Sequence, residues 1–342
     1  MTAVKTQTQT MQAVWYEEKG STQVLQTGNL PIPELGAGEV LVRVYASGVN
    51  PSDTKMRSGW GGNLAMQFPR VIPHNDGAGI IEQVGAGVSP NRIGDRVWIY
   101  EAQLGRPLGT AAEYAVIPSQ QAVSLPANTS FIEGACLGVP AMTAHRAVFA
   151  SGAVEGKTIL VTGGAGAVGY YAVQLAKWGG ATVITTVSRP EQAELAKAAG
   201  ADFAINYKTE DVVARIREIT GVQRGIDRVV DVDFEANLAI SEAVLKSNGA
   251  IATYSSSGGN PTANPAIPFF PFLFNNITIQ ILLVYTMPES AKQEAIRDIN
   301  AALSGGALKH NIAKLFSLKE VATAHQYQDS GQMIGKAIIQ IA

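Results

Sequence analysis

The chain has 342 residues, 46% of them hydrophobic and 16% charged, with a formal net charge of -2 and a single cysteine. That length and apolar content predict two ordinary cores rather than one, and the near-zero charge supplies no field that would draw nucleic acid or an anionic membrane. Cys136 alone excludes an internal disulfide and a thiolate metal cluster, so a soluble, cytoplasmic protein with a small-molecule partner is expected.

The first ten residues, "MTAVKTQTQT", are polar and aperiodic and are expected to fray. No targeting segment or apolar run long enough to cross a bilayer is found. From about residue 11 to 135, runs such as "MQAVWYE", "EVLVRVYASGV", "AGIIEQVG", "DRVWIY" and "EYAVI" are separated by Gly and Pro, which predicts a compact, mostly antiparallel β domain. From about 138 the rhythm changes: "TILVT", "TVITTV", "FAIN", "RVVDV" and "AIATY" alternate with helical patterns such as Val168, Ala172, Leu175 and Ala176. Such alternation predicts a parallel sheet with helices on both faces. The tail from "PESAKQEAIRDINAALSGG" to "GKAIIQIA" loses the rhythm. The expected class is α/β, with a mostly-β domain over residues 1–137 and 285–342 and a doubly wound domain over residues 138–284 inserted into it.

The stretch "TILVTGGAGAVGYYAVQLAKWGG" sets Gly164, Gly166 and Gly169 at G-x-G-x-x-G spacing between an apolar strand and an amphipathic helix. A helix start over Gly164, Gly166, Ala167, Val168 and Gly169 would turn backbone N–H groups toward a pyrophosphate; the alternative is a glycine turn that serves packing alone. Ser188 follows 22 residues after Gly166, with Arg189 next and no carboxylate at the strand end. A carboxylate there would bind the ribose hydroxyls of NAD, whereas a hydroxyl and a guanidinium suit a 2'-phosphate, so NADPH is the expected cofactor. The alternative is a solvated Arg189 neutralised by Glu191.

The stretches "SGVNPSDTKMRSG", "GAGIIEQVG", "GDRVW", "GGAGAVG", "GADFAINYKTED" and "SGQMIGKAIIQI" together resemble the zinc-free quinone oxidoreductase branch of the medium-chain dehydrogenase/reductase superfamily, the branch that includes ζ-crystallin. The resemblance covers nearly the whole chain. It implies a GroES-like catalytic domain, a Rossmann domain, an active cleft between them, NADPH as hydride donor, and a homodimer or homotetramer. It implies no metal: Asn50 stands where zinc-dependent relatives carry a cysteine ligand, and Asn75 aligns with their histidine ligand. His74 reads as a loop residue near the cofactor, and His145, His310 and His325 as scattered surface or core residues.

The resemblance further implies that Asn50, Thr143 and the backbone of Leu283 and Val284 hold the nicotinamide, and that Tyr207 lies near the adenosine phosphate unless it is a half-buried strand aromatic. Tyr254, Ser255 and Ser256, at a strand's carboxyl end, would line the cofactor. The Asn50 amide would stabilise charge developing on a substrate oxygen. Asp53 is a candidate active-site carboxylate, although "NPSD" is also a turn and N-cap sequence. Lys55 and Gly61 replace aromatics of related quinone reductases, and Trp60 is a candidate substitute. "PAIPFFPFLF" would line a pocket, form a dimer seam or pack beneath a loop, and Cys136 reads as a buried, inert thiol. The expected activity is NADPH-dependent, zinc-independent hydride transfer to a quinone or related activated carbonyl or alkene. The alternatives are an alkenal or enone double-bond reductase and an NADPH-binding protein without turnover.

Overall fold

The structure, a computed structural model, describes residues 9–342. Most of the stretch expected to fray lies outside the described residues, while Thr10 already pairs with Pro31. In chain order the first part comprises strands β1 (Thr10–Trp15), β2 (Gln26–Pro31) and β3 (Glu39–Gly48) and helix α1 (Pro51–Ser58). Strands β4 (Asp76–Val84), β5 (Arg96–Ile99), β6 (Tyr114–Pro118) and β7 (Ala122–Ser124) and the short helix α2 (Phe131–Gly134) follow. Helix α3 (Gly138–Phe149) leads into β8 (Thr158–Val161), α4 (Ala167–Trp178), β9 (Thr182–Val187), α5 (Pro190–Ala198), β10 (Phe203–Asn206) and α6 (Val212–Thr220). Next come β11 (Ile226–Asp231), α7 (Phe234–Val244), β12 (Leu245–Thr253), α8 (Phe269–Phe274), β13 (Thr278–Ile281) and α9 (Glu289–Ser304). The chain closes with β14 (Ile312–Ser317), α10 (Val321–Asp329) and β15 (Lys336–Gln340).

Two compact units result, one made of the chain up to Val139 with Ile312–Ala342, the other of Pro140–Asn311. In the first, a seven-stranded sheet runs β14-β15-β3-β4-β5-β7, with β6 also paired to β3. Alternation along β3 turns Val40, Val42 and Val44 inward, where they meet Ile81, Val97, Ile99, Ala115 and Ile117. Antiparallel pairing dominates, as Gly- and Pro-punctuated short strands predict. Helix α1 starts where Pro51 occupies the first turn and stops at Gly59, whose φ of 76° is left-handed.

The second unit is a six-stranded, wholly parallel sheet in the order β10-β9-β8-β11-β12-β13. Counted from β8 this is the 3-2-1-4-5-6 order of a doubly wound dinucleotide fold. Covered on both faces, its strands read as continuous β-branched runs rather than alternating ones. The sequence places the return to the first unit at residue 285, whereas the second unit runs to Asn311. Helix α9 accounts for the difference: it buries Ala295, Ile299 and Ala302, and its Asp298 lies 2.9 Å from His145 of α3. In the phenylalanine-rich α8 only Phe272 enters the core, while Phe269, Phe270 and Phe274 are exposed.

Candidate functional site

Five of the six loops at the carboxyl edge of the parallel sheet, all but the one after β11, carry expected cofactor residues. After β8, Gly163 takes a left-handed φ of 69°, and Gly164 N–H donates to Thr186 O at 3.2 Å. The three fingerprint glycines then divide by what a side chain would meet. A Cβ on Gly164 would lie 2.0 Å from Thr185 Oγ1, and one on Gly169 2.2 Å from Gly163 O, so helix and strand packing demand both glycines. A Cβ on Gly166 would meet nothing closer than Gly163 O at 3.3 Å, and its φ of -72° is open to any residue. Packing gives no strong reason for glycine at 166; close approach of a pyrophosphate does. Gly166 is the N-cap of α4, and Ala167 and Val168 open its first turn, where backbone N–H groups lack helical acceptors.

After β9, both the N–H and the hydroxyl of Ser188 donate to Gln192 Oε1 at 2.9 Å. Arg189 caps α5, with Nε 3.4 Å from Glu191 Oε1, and both side chains are largely exposed. An exposed pair of this kind contributes about 0–1 kcal/mol, a weak competitor for a phosphate dianion. After β10, Tyr207 N–H donates to Val187 O at 3.0 Å. Its exposed ring lies 5.2 Å from the Lys208 ammonium. Sequence reasoning missed Lys208; a cation beside a tyrosine at a neighbouring strand end was the available signal. After β12, Ser256 Oγ accepts from Glu235 N–H at 3.2 Å and Ser255 O from Phe234 N–H at 3.0 Å. Burial and the nearby Asp231 carboxylate raise the Tyr254 phenol. After β13, Leu283 O accepts from the N–H and hydroxyl of Thr286, each at 3.1 Å. Thr143 is buried in α3.

In the first unit, Asn50 and Asp53 stand at the start of α1, both buried. Asn50 Nδ2 donates to Asp76 Oδ2 at 2.8 Å, and its Oδ1 accepts from Lys336 Nζ. Lys336 also donates to Asp76 Oδ2 at 2.8 Å, and Val139 N–H donates to Asp76 Oδ1 at 2.9 Å. Asp53 accepts from Asn50 N–H at 2.8 Å and from Asn75 Nδ2 at 3.0 Å. One oxygen thus caps the helix start, the turn-and-cap alternative that its sequence allowed, and the other is engaged by Asn75 in the loop before β4. Burial, with the Asp76 carboxylate adding, pushes Asp53 up to about 7. Sequence spacing left Asp76 and Lys336 out of the site; the available signal was a lysine heading the otherwise apolar strand "KAIIQ".

The histidines correct one expectation, that they are scattered singly. His74 does lie in the loop before β4 but is fully buried, and His325 is a core residue that is not isolated, because their Nε2 atoms lie 2.8 Å apart. Arg57 Nε donates to His325 Nδ1 at 3.2 Å, so the His325 proton sits on Nε2 and points at His74. His74 must then hold its proton on Nδ1, 2.8 Å from Ser47 Oγ. The far end agrees: Thr110 donates to Asp76 O at 2.6 Å, so Ser47 donates to Thr110 across 2.7 Å and accepts from His74. Both rings are neutral in this one-directional chain, which begins at the Arg57–Asp329 pair, 2.9 Å apart. His74 holds a left-handed φ of 80° to take part in it.

These groups do not fit a zinc ion. Asn50 and Asp76 are bridged by an ammonium, Asn75 is spent on Asp53, and no cluster of three or more His, Cys, Asp or Glu suited to a metal occurs among the described residues. Cys136 is buried and its thiol is pushed up to about 12 by burial.

Residues 36–127 match the family model "Alcohol dehydrogenase GroES-like domain" and residues 167–301 the model "Zinc-binding dehydrogenase". The chain is 32% identical over 312 residues to a 2-haloacrylate reductase of a Burkholderia species, covering 89% of this chain and 91% of that one. It is 31% identical to the human quinone oxidoreductase, covering 92% of this chain and 93% of the relative. A solved structure of Escherichia coli quinone oxidoreductase complexed with NADPH superposes with a TM-score of 0.82 at 26% identity, over 96% of this chain and 99% of that one.

Proposed function

The chain belongs to the zinc-free quinone oxidoreductase branch of the medium-chain dehydrogenase/reductase superfamily, and from that membership we propose that it is an NADPH-dependent reductase of quinones or related electron-poor carbonyls and alkenes. The observation that carries the cofactor half is Gly166, a glycine for which packing gives no strong reason, at the helix start beside β8. Bound along the carboxyl edge, NADPH supplies the hydride. Ser188 and Arg189 take the 2'-phosphate with Tyr207 beside them, and Gly164 to Gly169 take the pyrophosphate. Tyr254, Ser255 and Ser256 line the remainder, and Thr143 with the backbone of Leu283 and Val284 holds the carboxamide. Hydride transfer depends on position and exclusion of water. As charge gathers on the acceptor oxygen, the Asn50 amide donates to it. Asp53 sets the turn that presents Asn50, and the final proton comes from water.

One observation favours an alkene acceptor as a second reading. The Lys55 ammonium covers the Trp60 ring at 5.0 Å, so that face is not free to stack a quinone, and the cation suits an alkene bearing a carboxylate. The Burkholderia relative is named for reducing such an acid. Loss of NADPH absorbance with a quinone, an enal, an enone and a haloacrylate decides among these acceptors. Consumption with none of them despite NADPH binding would make the protein a non-catalytic binder.

A homodimer is part of the proposal. Strand β13 is an open sheet edge with Ile281 80% exposed, and Phe274 in the neighbouring α8 is 79% exposed. An apolar edge of that kind is covered in a stable protein, and a second copy paired antiparallel about a two-fold axis covers both edges at once.

A further inference from the structure

We infer that Lys336 is a positioning residue, which together with Asp76 fixes the sense of the Asn50 amide and keeps one of its N–H bonds for the oxygen of the acceptor. This rests on the assignment of Asn50 to that oxygen made above. An ammonium only donates, so the Asn50 atom facing Lys336 Nζ is the carbonyl oxygen. A carboxylate only accepts, so the atom 2.8 Å from Asp76 Oδ2 is the amide nitrogen. The two constraints come from residues 260 positions apart and agree. One proton of Nδ2 is bound to Asp76, and the other has no acceptor among the described residues. A buried amide with an unspent donor is poised for a ligand.

Asp76 alone would not hold this sense. It meets only the nitrogen end of the amide, and without Lys336 the carbonyl end would face no donor. Lys336, buried and donating to Asp76 and Asn50 together, holds the carbonyl end of the amide and ties it to the same carboxylate that holds the nitrogen end. The chain running from Arg57 through His325, His74, Ser47 and Thr110 ends on the backbone oxygen of Asp76 and fixes it from the other side.

The test is the side-chain amide signal of Asn50 in protein labelled with 15N at asparagine, assigned by its loss in Asn50→Ala. The native protein should show two inequivalent amide protons, the one bound to Asp76 shifted downfield. In Lys336→Met, and in Lys336→Met/Asp76→Asn, which folds without a stranded charge, the pair should collapse toward an ordinary asparagine value. An unchanged pair in either folded variant overturns the proposal. With an acceptor that the native protein reduces, Lys336→Met should lower kcat by about tenfold or more while NADPH affinity stays within about twofold. Asn50→Ala/Lys336→Met should be no slower than Asn50→Ala, because Lys336 acts through Asn50. Losses that multiply would refute positioning. Absence of turnover by the native protein would reject the reductase reading instead, and the amide signals would still decide the role of Lys336.

Discussion

The proposed preference for NADPH rests most directly on Arg189. Its half-exposed pair with Glu191 contributes little, so a phosphate arriving at Ser188 and Arg189 gains charge-assisted hydrogen bonds of roughly 1.5–3 kcal/mol each. Arg189→Glu should therefore weaken NADPH by about tenfold to a hundredfold while NADH changes by about threefold or less; equal losses in fluorescence titrations of the two nucleotides would remove Arg189 from 2'-phosphate recognition. The glycines offer a second separation. Gly164→Ala forces a methyl against Thr185 and should cost about 1–3 kcal/mol of stability. Gly166→Ala should lower the melting temperature much less than Gly164→Ala, since its Cβ meets only Gly163 O at 3.3 Å, and should weaken NADPH if the proposed pyrophosphate approaches there. Glycine spacing and the missing carboxylate were legible because both are local. Lys336 and His325 were not, since each meets its partner across more than 250 residues of chain.

At the scale of elements, the parallel sheet was legible because strands buried on both faces are written as short β-branched runs such as "TILV" and "TVITTV". The end of the second unit was not. Helix α9 announces a buried stripe through Ala295, Ile299 and Ala302, but an amphipathic pattern does not say which core receives it. Nor did the run "FFPFLF" disclose that Phe272 alone turns inward while its neighbours stay exposed. The open β13 edge makes a testable seam. Ile281→Lys replaces a side chain that is 80% exposed, so it should leave the single chain folded, yet it would set two like charges near the two-fold axis of an antiparallel pair. Sedimentation equilibrium should then give half the native mass; a variant that keeps the native mass would clear β13 of the interface.

For the whole molecule, the buried ionisable groups set an acid limit on stability. Burial lowers His74 well below its ordinary 6.5, with His325 and Lys336 adding. It lowers His325 to about 3, with the Arg57 charge adding, and lowers His145 against the opposing pull of Asp298. Each ring is protonated in the unfolded chain below 6.5 but resists protonation when folded, so its stabilising effect is complete above 6.5 and is lost as the pH falls. Asp53 works in the opposite sense. Raised from 3.8 to about 7, it binds a proton in the fold before the unfolded chain does, so its contribution is full below 3.8 and is lost as the pH rises through 7. Burial raises Asp231 as well, so between pH 6.5 and 4 three histidines oppose two carboxyls, and the unfolded chain binds the larger number of protons. Stability should be nearly level from pH 7 to 8 and fall steadily below 6.5, as urea unfolding at a series of pH values would show. His325→Gln sharpens the test. A glutamine can accept from Arg57 through Oε1 and donate to His74 through Nε2, which preserves the direction of the chain without a titrating ring. The variant should be somewhat less stable at pH 8 and lose less on acidification than the native protein. An acid limb as steep as the native one would place the acid sensitivity elsewhere than in the His74–His325 pair.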